Sequence, residues 1–164
     1  MRPTFGGTSK GRERPAQKCS ASANTPSNVV ENPERPSAVP RLVHFLLLPE
    51  FSMMGFVSAI EPLRVANRFC ADSYRWKILS VNGEPVVASN AMSLNADGPL
   101  CDPAQVQTVM VVAGFQPLAT FTPILARWLR AVRQSGAVVG AVDTGVFALA
   151  EAGVAGPGPV TLHW

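Results

Sequence analysis

The chain has few cysteines and no long apolar run, and each scarcity excludes a class of protein. Cys19, Cys70 and Cys101 follow no metal-binding spacing and form no even disulfide framework, which is typical of reduced cytosolic thiols. No apolar stretch reaches the roughly 20 residues of a membrane-spanning helix, and the N-terminus lacks the apolar core of a secretory signal. We therefore expect a cytoplasmic protein with no metal, no cofactor and no membrane contact.

Charged residues are also scarce, at 15% of the chain, and the excess of positive over negative charge is confined to one end. Residues 1–40 contain six Lys or Arg against three Glu, which accounts for the net charge of +3. Residues 41–164 hold eight basic and eight acidic residues and sum to zero. A DNA-binding domain needs a basic face and, in a helix-turn-helix, a basic recognition helix. We expect no DNA binding by this chain alone.

Residues 1–40 also have almost no large apolar side chains after Phe5, and they contain six prolines. Such a segment cannot bury enough surface to offset the entropy lost on ordering. We predict a disordered tail over 1–40 and one folded domain over 41–164.

Within that domain, short apolar runs alternate with segments of helical periodicity. This alternation predicts βαβ units and a parallel α/β sheet. We expect a small β excursion at "PVVAS" and "AMSLNAD". The main strands are predicted at "RLVHFLLL" (41–48), "RWKILSV" (75–81), "TVMVVAG" (108–114), "AVVGAV" (137–142) and from "VTLHW" (160–164).

Helix signals separate these strands. Ser52 can cap a first helix, in which Pro62 predicts a kink or a break. Thr122 and Pro123 give a cap and a first helical residue for a second helix, which Gly136 ends. The segment "GVFALAEA" forms a third helix, ending at Gly153. The predicted core-facing residues are Met53, Phe56, Val57, Ile60 and Leu63 in the first helix, and Ile124, Trp128, Leu129 and Val132 in the second.

One strand runs directly into its helix at "GAVDTGVFALAEAG" (140–153), with an acid at the turn. A tight strand–turn–helix needs small neighbours, and Ala141 and Gly145 flank Asp143 two residues away on each side. Parallel sheets bind ligands at the carboxyl ends of their strands. Asp143 is therefore a candidate ligand-binding group, near a helix N-terminus that favours an anion. The alternative is that it only caps the helix that starts at Gly145.

Four motifs together resemble a known family in order and spacing. They resemble the ThiJ/PfpI-like, class I glutamine amidotransferase-like domain and, more narrowly, the N-terminal sensor domain of GlxA-group AraC-type transcriptional regulators. The resemblance covers 41–164 and implies a flavodoxin-like three-layer sandwich with a mainly parallel sheet. The motifs are "LLLPEFSMMGFVSAIEPLRVANR", "VVAGFQPLA", "GAVDTGVFALAEAG" and "VTLHW".

The resemblance also implies that the domain is not catalytic. In enzymes of this superfamily the turn residue is cysteine, an acid from the first βα loop supports it, and in the proteases a histidine follows it. Here those positions are Asp143, Gly55 and Thr144. A carboxylate lacks the nucleophilicity of a thiolate, and His44 and His163 are expected to be structural.

An aspartate at this turn resembles sensors of quaternary amines and amino acids, such as carnitine or glycine betaine. The resemblance thus implies a small-molecule effector and possible homodimers. A carboxylate near aromatic rings suits a cationic ligand, and the candidate ligand-binding residues are Asp143, Thr144, Glu61, Phe51 and Phe115. Two alternatives stay open: the phenylalanines, with Phe56, are core residues, and Glu61 forms a surface salt bridge with Arg64.

Regulators of this group continue past the segment that matches "VTLHW" with the rest of the sensor domain and a helix-turn-helix domain. By this resemblance we expect a truncated chain, with an incomplete sheet, an exposed apolar edge and marginal stability. Two other functions remain open at this point. One is a stand-alone ThiJ/PfpI-type hydrolase or amidase, and the other is a dimerisation module that modulates a full-length regulator.

Overall fold

The structure, a computed structural model, describes residues 39–70 and 73–161. Residues 1–38 of the tail predicted over 1–40, and His163, lie outside this part of the chain. In chain order the elements are β1 (Arg41–Leu47), α1 (Met53–Phe69), β2 (Tyr74–Leu79), β3 (Val86–Val87), β4 (Ser93–Leu94), a 3-10 turn (Pro103–Gln105), β5 (Thr108–Val112), α2 (Pro123–Gln134), β6 (Val138–Val142) and α3 (Gly145–Glu151).

Four parallel strands form the main sheet in the order β2–β1–β5–β6. The predicted α/β class is confirmed, and the small β excursion is the antiparallel pair β3–β4. The chain moves from β1 outward to β2, and then returns to add β5 on the other side of β1. This reversal opens a crevice at the carboxyl ends of β1 and β5, where open α/β sheets bind ligands.

Two apolar clusters cover the two faces of the sheet, which gives the predicted three layers. The face toward α1 carries alternate residues of β1, including Phe45 and Leu47, packed with Phe56. The opposite face carries Leu46 and its neighbours on β5, packed with Leu129 of α2 and with α3. Because β1 is buried on both faces, its sequence is continuously apolar rather than alternating.

Helix α1 departs from the sequence expectation in two ways. The predicted break at Pro62 is wrong, because the helix continues through this residue to Phe69. Pro62 and Ser58 both lie on the solvent side, so the carbonyl that loses its helical partner can be hydrated. Val57 is also exposed rather than core-facing, and Ala59 packs on the core with Ile60.

Helix α2 begins as predicted but faces the core with a different first residue. The hydroxyl of Thr122 accepts a hydrogen bond from the Leu125 backbone N–H at 3.2 Å, which caps the helix. Leu125 is buried and Ile124 is exposed, so assigning Ile124 to the core was wrong. The apolar stripe at helical spacing runs through Leu125, Leu129 and Val132, and Ile124 lies one residue, about 100°, away from it.

The end of the described chain does not continue the sheet. Val160 and Thr161 lie outside any strand, and the remaining residues of "VTLHW" are not described. No helix within residues 39–70 and 73–161 is long and apolar enough to cross a membrane.

Candidate functional site

Three loops meet at the carboxyl end of the sheet and are joined by backbone hydrogen bonds. The Ser52 N–H donates to the Ala113 carbonyl at 3.2 Å, and the Ser89 N–H donates to the Phe51 carbonyl at 3.0 Å. These bonds bring the loop after β1, the loop after β5 and the β3–β4 hairpin together beside the turn at Asp143.

The elbow cavity lies between these loops and has a volume of about 510 Å³. It contains one carboxylate, several neutral polar groups and two aromatic rings. Its lining residues are Ser52, Ser89, Gly114, Phe115, Gln116, Pro117, Asp143, Thr144 and Phe147. A volume of this size is typical of a small-molecule site.

Asp143 occupies the turn in a strained backbone conformation, with φ of 56°. This left-handed region favours glycine, although aspartate tolerates it better than most residues. At Gly145 a Cβ atom would overlap the backbone carbonyl of Val111, and it would also lie 3.5 Å from the Ala141 Cβ. The predicted need for small residues around Asp143 is confirmed, because α3 starts directly against the sheet.

Three further non-glycine residues with positive φ lie in the neighbouring loops, and one of them is Ala91 in the β3–β4 hairpin, with φ of 65°. Glu50 follows β1 with φ of 60°, and Gln116 follows β5 with φ of 49°. Each such residue costs about 1–3 kcal/mol of backbone strain. Strain of this kind is characteristic of functional sites, and here it recurs at the ends of β1, β5 and β6.

Thr144 joins two of the loops through its side chain. Its Oγ1 donates a 2.5 Å hydrogen bond to the Gly114 carbonyl oxygen. Thr144 is also the first flanking residue of α3, and the helix has no side-chain cap at its N-terminus. The alternative role of Asp143, as a side-chain cap for the N-terminus of α3, is therefore not observed.

The Asp143 carboxylate has no hydrogen-bond partner among residues 39–70 and 73–161. It also borders a second space, the rear cavity, with a volume of about 460 Å³ on the other side of the turn. The rear cavity is mostly apolar and includes Val139, Val146 and Leu149. Asp143 is thus accessible from two sides.

Two phenylalanines line the elbow cavity, and only one was predicted. Phe115 is 71% exposed, so its ring is free to contact a ligand. Phe147 is partly exposed, lies in the first turn of α3 and lines the same cavity as Asp143. No local sequence signal indicated Phe147, because its exposure depends on how α3 packs on the sheet.

The structure does not bring Phe51 and Glu61 to this cavity. The Phe51 side chain is completely buried, and its ring packs edge-on against Phe56 with centroids 6.1 Å apart. Glu61 lies on the outer side of α1 and accepts two-pronged hydrogen bonds of 2.8–3.0 Å from Arg64. These hydrogen bonds lower the pKa of Glu61, and the surface salt bridge left open as an alternative is confirmed.

Gly55 is the position that the resemblance aligns with the supporting acid of the enzymes. It is in the first turn of α1, and a Cβ atom there would lie 3.1 Å from a methyl group of Val142, the residue before Asp143. A longer side chain at this position would reach the turn, but glycine leaves the place without a functional group. The Ser52 hydroxyl, which accepts from the Gly55 N–H at 3.1 Å, is the polar group nearest to it.

No cysteine or histidine lines the elbow cavity in the part of the chain that the structure describes. His44 is buried within β1, 2% exposed, and its Nδ1 atom has no hydrogen-bond partner in that part of the chain. Burial lowers the pKa of His44, a backbone hydrogen bond at Thr108 opposes this, and the nearby charge of Lys77 adds to it. His44 is therefore a neutral core residue, as expected.

Several curated proteins are similar to this chain, although no protein-family model matches it. The HTH-type transcriptional regulator CdhR of Pseudomonas aeruginosa is 57% identical over 120 residues, which is 73% of this chain and 36% of CdhR. GbdR of the same species is 35% identical over 126 residues, covering 76% of this chain and 34% of GbdR. GlxA of Rhizobium meliloti is 33% identical over 129 residues, which is 74% of this chain and 38% of GlxA. The chain thus spans about a third of the length of these regulators.

Solved structures show the same fold. An AraC family transcriptional regulator from Pseudomonas putida matches with a TM-score of 0.64 and 31% identity, over 70% of this chain and 62% of that one. A ThiJ/PfpI domain protein from Brachyspira murdochii matches with a TM-score of 0.56 and 14% identity, over 68% of this chain and 62% of that one.

Proposed function

The chain belongs to the ThiJ/PfpI-like domains of GlxA-group AraC-type transcriptional regulators, and on this basis we propose that it is a non-catalytic domain that senses a small molecule. The observation that carries the proposal is the Asp143 carboxylate, which lies at the turn between β6 and α3 and borders a cavity of ligand size. We propose that the sensing domain corresponds to residues 41–164.

Catalysis by acyl transfer is disfavoured by the groups around the turn. A nucleophile needs an adjacent base or a lowered pKa to attack at neutral pH. Thr144 follows Asp143 directly, and its hydroxyl hydrogen is already donated to Gly114. Gly55 supplies no acid. The hydrolase alternative therefore has the fold in its favour but no activated nucleophile in the described site.

We infer that the effector is a cationic amine, such as a quaternary ammonium compound or an amino acid. The carboxylate of Asp143 would pair with the positive charge, and the rings of Phe115 and Phe147 would contact its alkyl groups through cation–π attraction. Both rings and the carboxylate line one cavity. The amide of Gln116 and the hydroxyls of Ser52 and Ser89 can bind the carboxylate that carnitine, glycine betaine and amino acids also carry.

Ligand-induced thermal stabilisation tests this proposal, because binding to the native state raises the unfolding midpoint. The full chain is screened with glycine betaine, carnitine, choline, dimethylglycine and arginine, and hits are confirmed by isothermal titration calorimetry. We expect at least one amine to raise the midpoint. Asp143→Asn is expected to abolish that shift while keeping the fold.

Two controls separate a specific charge interaction from other effects. Glu151→Gln removes a carboxylate from an exposed position on the same helix and should leave the shift unchanged. The tert-butyl analogue of glycine betaine keeps the shape and the carboxylate of the betaine but lacks the cation, and it should not bind. Equal binding of that analogue, or a full shift in Asp143→Asn, would contradict the assignment of a cationic effector to Asp143.

DNA binding is not assigned to this domain. Residues 41–164 contain equal numbers of basic and acidic residues, and the relatives are about three times longer than the matched region. We propose that effector binding here is transmitted to a DNA-binding part of a full-length regulator.

A further inference from the structure

The rear cavity is enclosed by β6, by α3 and by the chain that follows α3. Val139 and Ala141 belong to one face of β6, since residues two apart on a strand share a face, and Val146 faces them from α3. Among the described residues that line this cavity, only Asp143 and Thr161 have polar side chains. The side chains around the cavity therefore suit an apolar group.

The wall of the rear cavity that follows α3 is loosely packed. Val160 is 54% exposed, and Ala155 and Gly156 are also exposed. A Cβ atom at Gly156 would meet no other described atom within 4 Å. Apolar surface in this wall is left in contact with water, and its burial would be favourable. The rear cavity is thus open to a ligand from solvent, unlike a sealed void in the core.

Asp143 gives the rear cavity one charged end. Its carboxylate borders both cavities and has no hydrogen-bond partner within residues 39–70 and 73–161. A cation paired with this carboxylate would have polar and aromatic groups on the elbow side and alkyl side chains on the rear side. A polar substituent on the rear side would lose its hydrogen bonds to water without replacement, whereas an alkyl chain would not. A neutral apolar ligand would leave the carboxylate unpaired.

We propose that the rear cavity binds the alkyl or acyl chain of an amphiphilic amine whose cationic group pairs with Asp143. This inference rests on the proposed role of Asp143 as the counter-ion of the effector and adds a second part to that ligand site. The rear cavity, at about 460 Å³, is nearly as large as the elbow cavity, at about 510 Å³. The chain of the effector can therefore be as large as the groups around its cation.

A homologous series of cations tests the proposal. Binding of tetramethylammonium and of butyl-, hexyl- and octyltrimethylammonium to the full chain is measured by isothermal titration calorimetry, below the concentrations at which micelles form. Each methylene group that enters the cavity should tighten binding by about two- to fourfold, until the cavity is filled.

The same series separates this inference from the proposed function. If tetramethylammonium binds and chain length has no effect, the rear cavity is not part of the site, and the assignment of a cationic effector to Asp143 still stands. If none of these cations binds, and no amine raises the unfolding midpoint, both proposals are wrong.

Filling the rear cavity tests where the chain lies. Ala155→Trp introduces an indole ring from an exposed position of the cavity wall and should remove most of the difference in affinity between octyltrimethylammonium and tetramethylammonium. Ala104→Trp makes the same change at an exposed residue of the 3-10 turn, before the amino end of β5, and should keep that difference. A difference that Ala155→Trp does not reduce would place the chain in the elbow cavity, against Phe115 or Phe147, and would overturn the proposal.

A smaller substitution tests the same point with little change of shape. Val139→Thr puts a hydroxyl group into the wall of the rear cavity and should reduce the gain in affinity per methylene group. Circular dichroism of each variant verifies its fold. An unchanged gain in Val139→Thr, together with an unchanged gain in Ala155→Trp, would contradict the placement of the chain.

Competition tests whether the two cavities form one site. Saturating tetramethylammonium should raise the apparent dissociation constant of octyltrimethylammonium in proportion to its concentration, because both cations need the Asp143 carboxylate. If octyltrimethylammonium binds equally well in the presence of tetramethylammonium, the rear cavity is a separate site, and the proposed joint site is wrong.

Discussion

The side chain of Thr144 holds the turn at Asp143 against the loop that follows β5, through a 2.5 Å hydrogen bond from Oγ1 to the Gly114 carbonyl oxygen. Gly114 lies so close to the loop after β1 that a Cβ atom there would overlap the Glu50 carbonyl. This side-chain bond and the close approach at Gly114 add to the backbone hydrogen bonds between the loops, and they tie the turn at Asp143 to the loops after β5 and β1.

Removing the Thr144 hydroxyl is expected to loosen the cavity. Thr144→Val keeps the shape of the side chain but leaves the Gly114 carbonyl unpaired, which should lower the free energy of unfolding by about 1–3 kcal/mol. Urea denaturation measures this change. Thr144→Ser retains the hydroxyl and should restore most of the loss. Equal stabilities of the valine and serine variants would show that the hydrogen bond contributes nothing.

Gly145 is expected to be intolerant of any side chain. Gly145→Ala forces a methyl group into the Val111 carbonyl, and overpacking of this kind should destabilise the domain by about 3 kcal/mol. Gly156 has open space around it and no positive φ, so Gly156→Ala serves as the control and should change the unfolding free energy little. Thermal and urea denaturation compare the two variants.

The buried face of α2 can be tested with adjacent residues. Leu125→Ala removes a fully buried side chain and should lower the free energy of unfolding by about 2–5 kcal/mol. Ile124→Ala removes an exposed one and should change it by no more than about 0.5 kcal/mol. A larger loss for Ile124→Ala would contradict the helix orientation.

His44 is expected to make stability depend on pH. Its pKa in the folded state is lowered by burial, so the unfolded chain binds more protons below the ordinary pKa of about 6.5. The free energy of unfolding should be fully retained above that pH and should fall as the pH decreases from there through the lowered pKa. His44→Leu fills a similar volume without a titrating group.

Urea denaturation between about pH 7 and pH 5 separates this effect from carboxylate titration, which occurs mainly at lower pH. The slope in this interval should be smaller in His44→Leu than in the original chain. An unchanged slope would show that His44 is already accessible to protons in the folded state.

Strands and the turn were predictable because their signals are local. The apolar run at 41–48 had to be buried on both faces, and the small residues around Asp143 left few other conformations. Ile124 and Val57 were misassigned because several apolar residues compete for one helical face, and the sequence does not fix the rotation of the helix. Phe147 was missed since its exposure depends on how α3 packs on β5, a contact set by Gly145.

The sequence also could not separate the two roles left open for Glu61. A carboxylate three residues from an arginine fits a surface pair and a ligand site equally well, and only the position of α1 against the sheet decides between them. The same placement leaves Met54 and Phe69 exposed to solvent.

The turn at residue 143 has its shape fixed by atoms other than its own side chain. Ala141, Gly145 and the Val111 carbonyl determine the path of the backbone, and the residue at 143 only has to tolerate φ of 56°. The side chain there can in principle be exchanged while the path stays the same. A small library of Asp, Asn, Ser, Cys and Gly at this one position would therefore explore ligand preference at nearly constant architecture, which makes residue 143 a natural place to redesign the specificity of the domain.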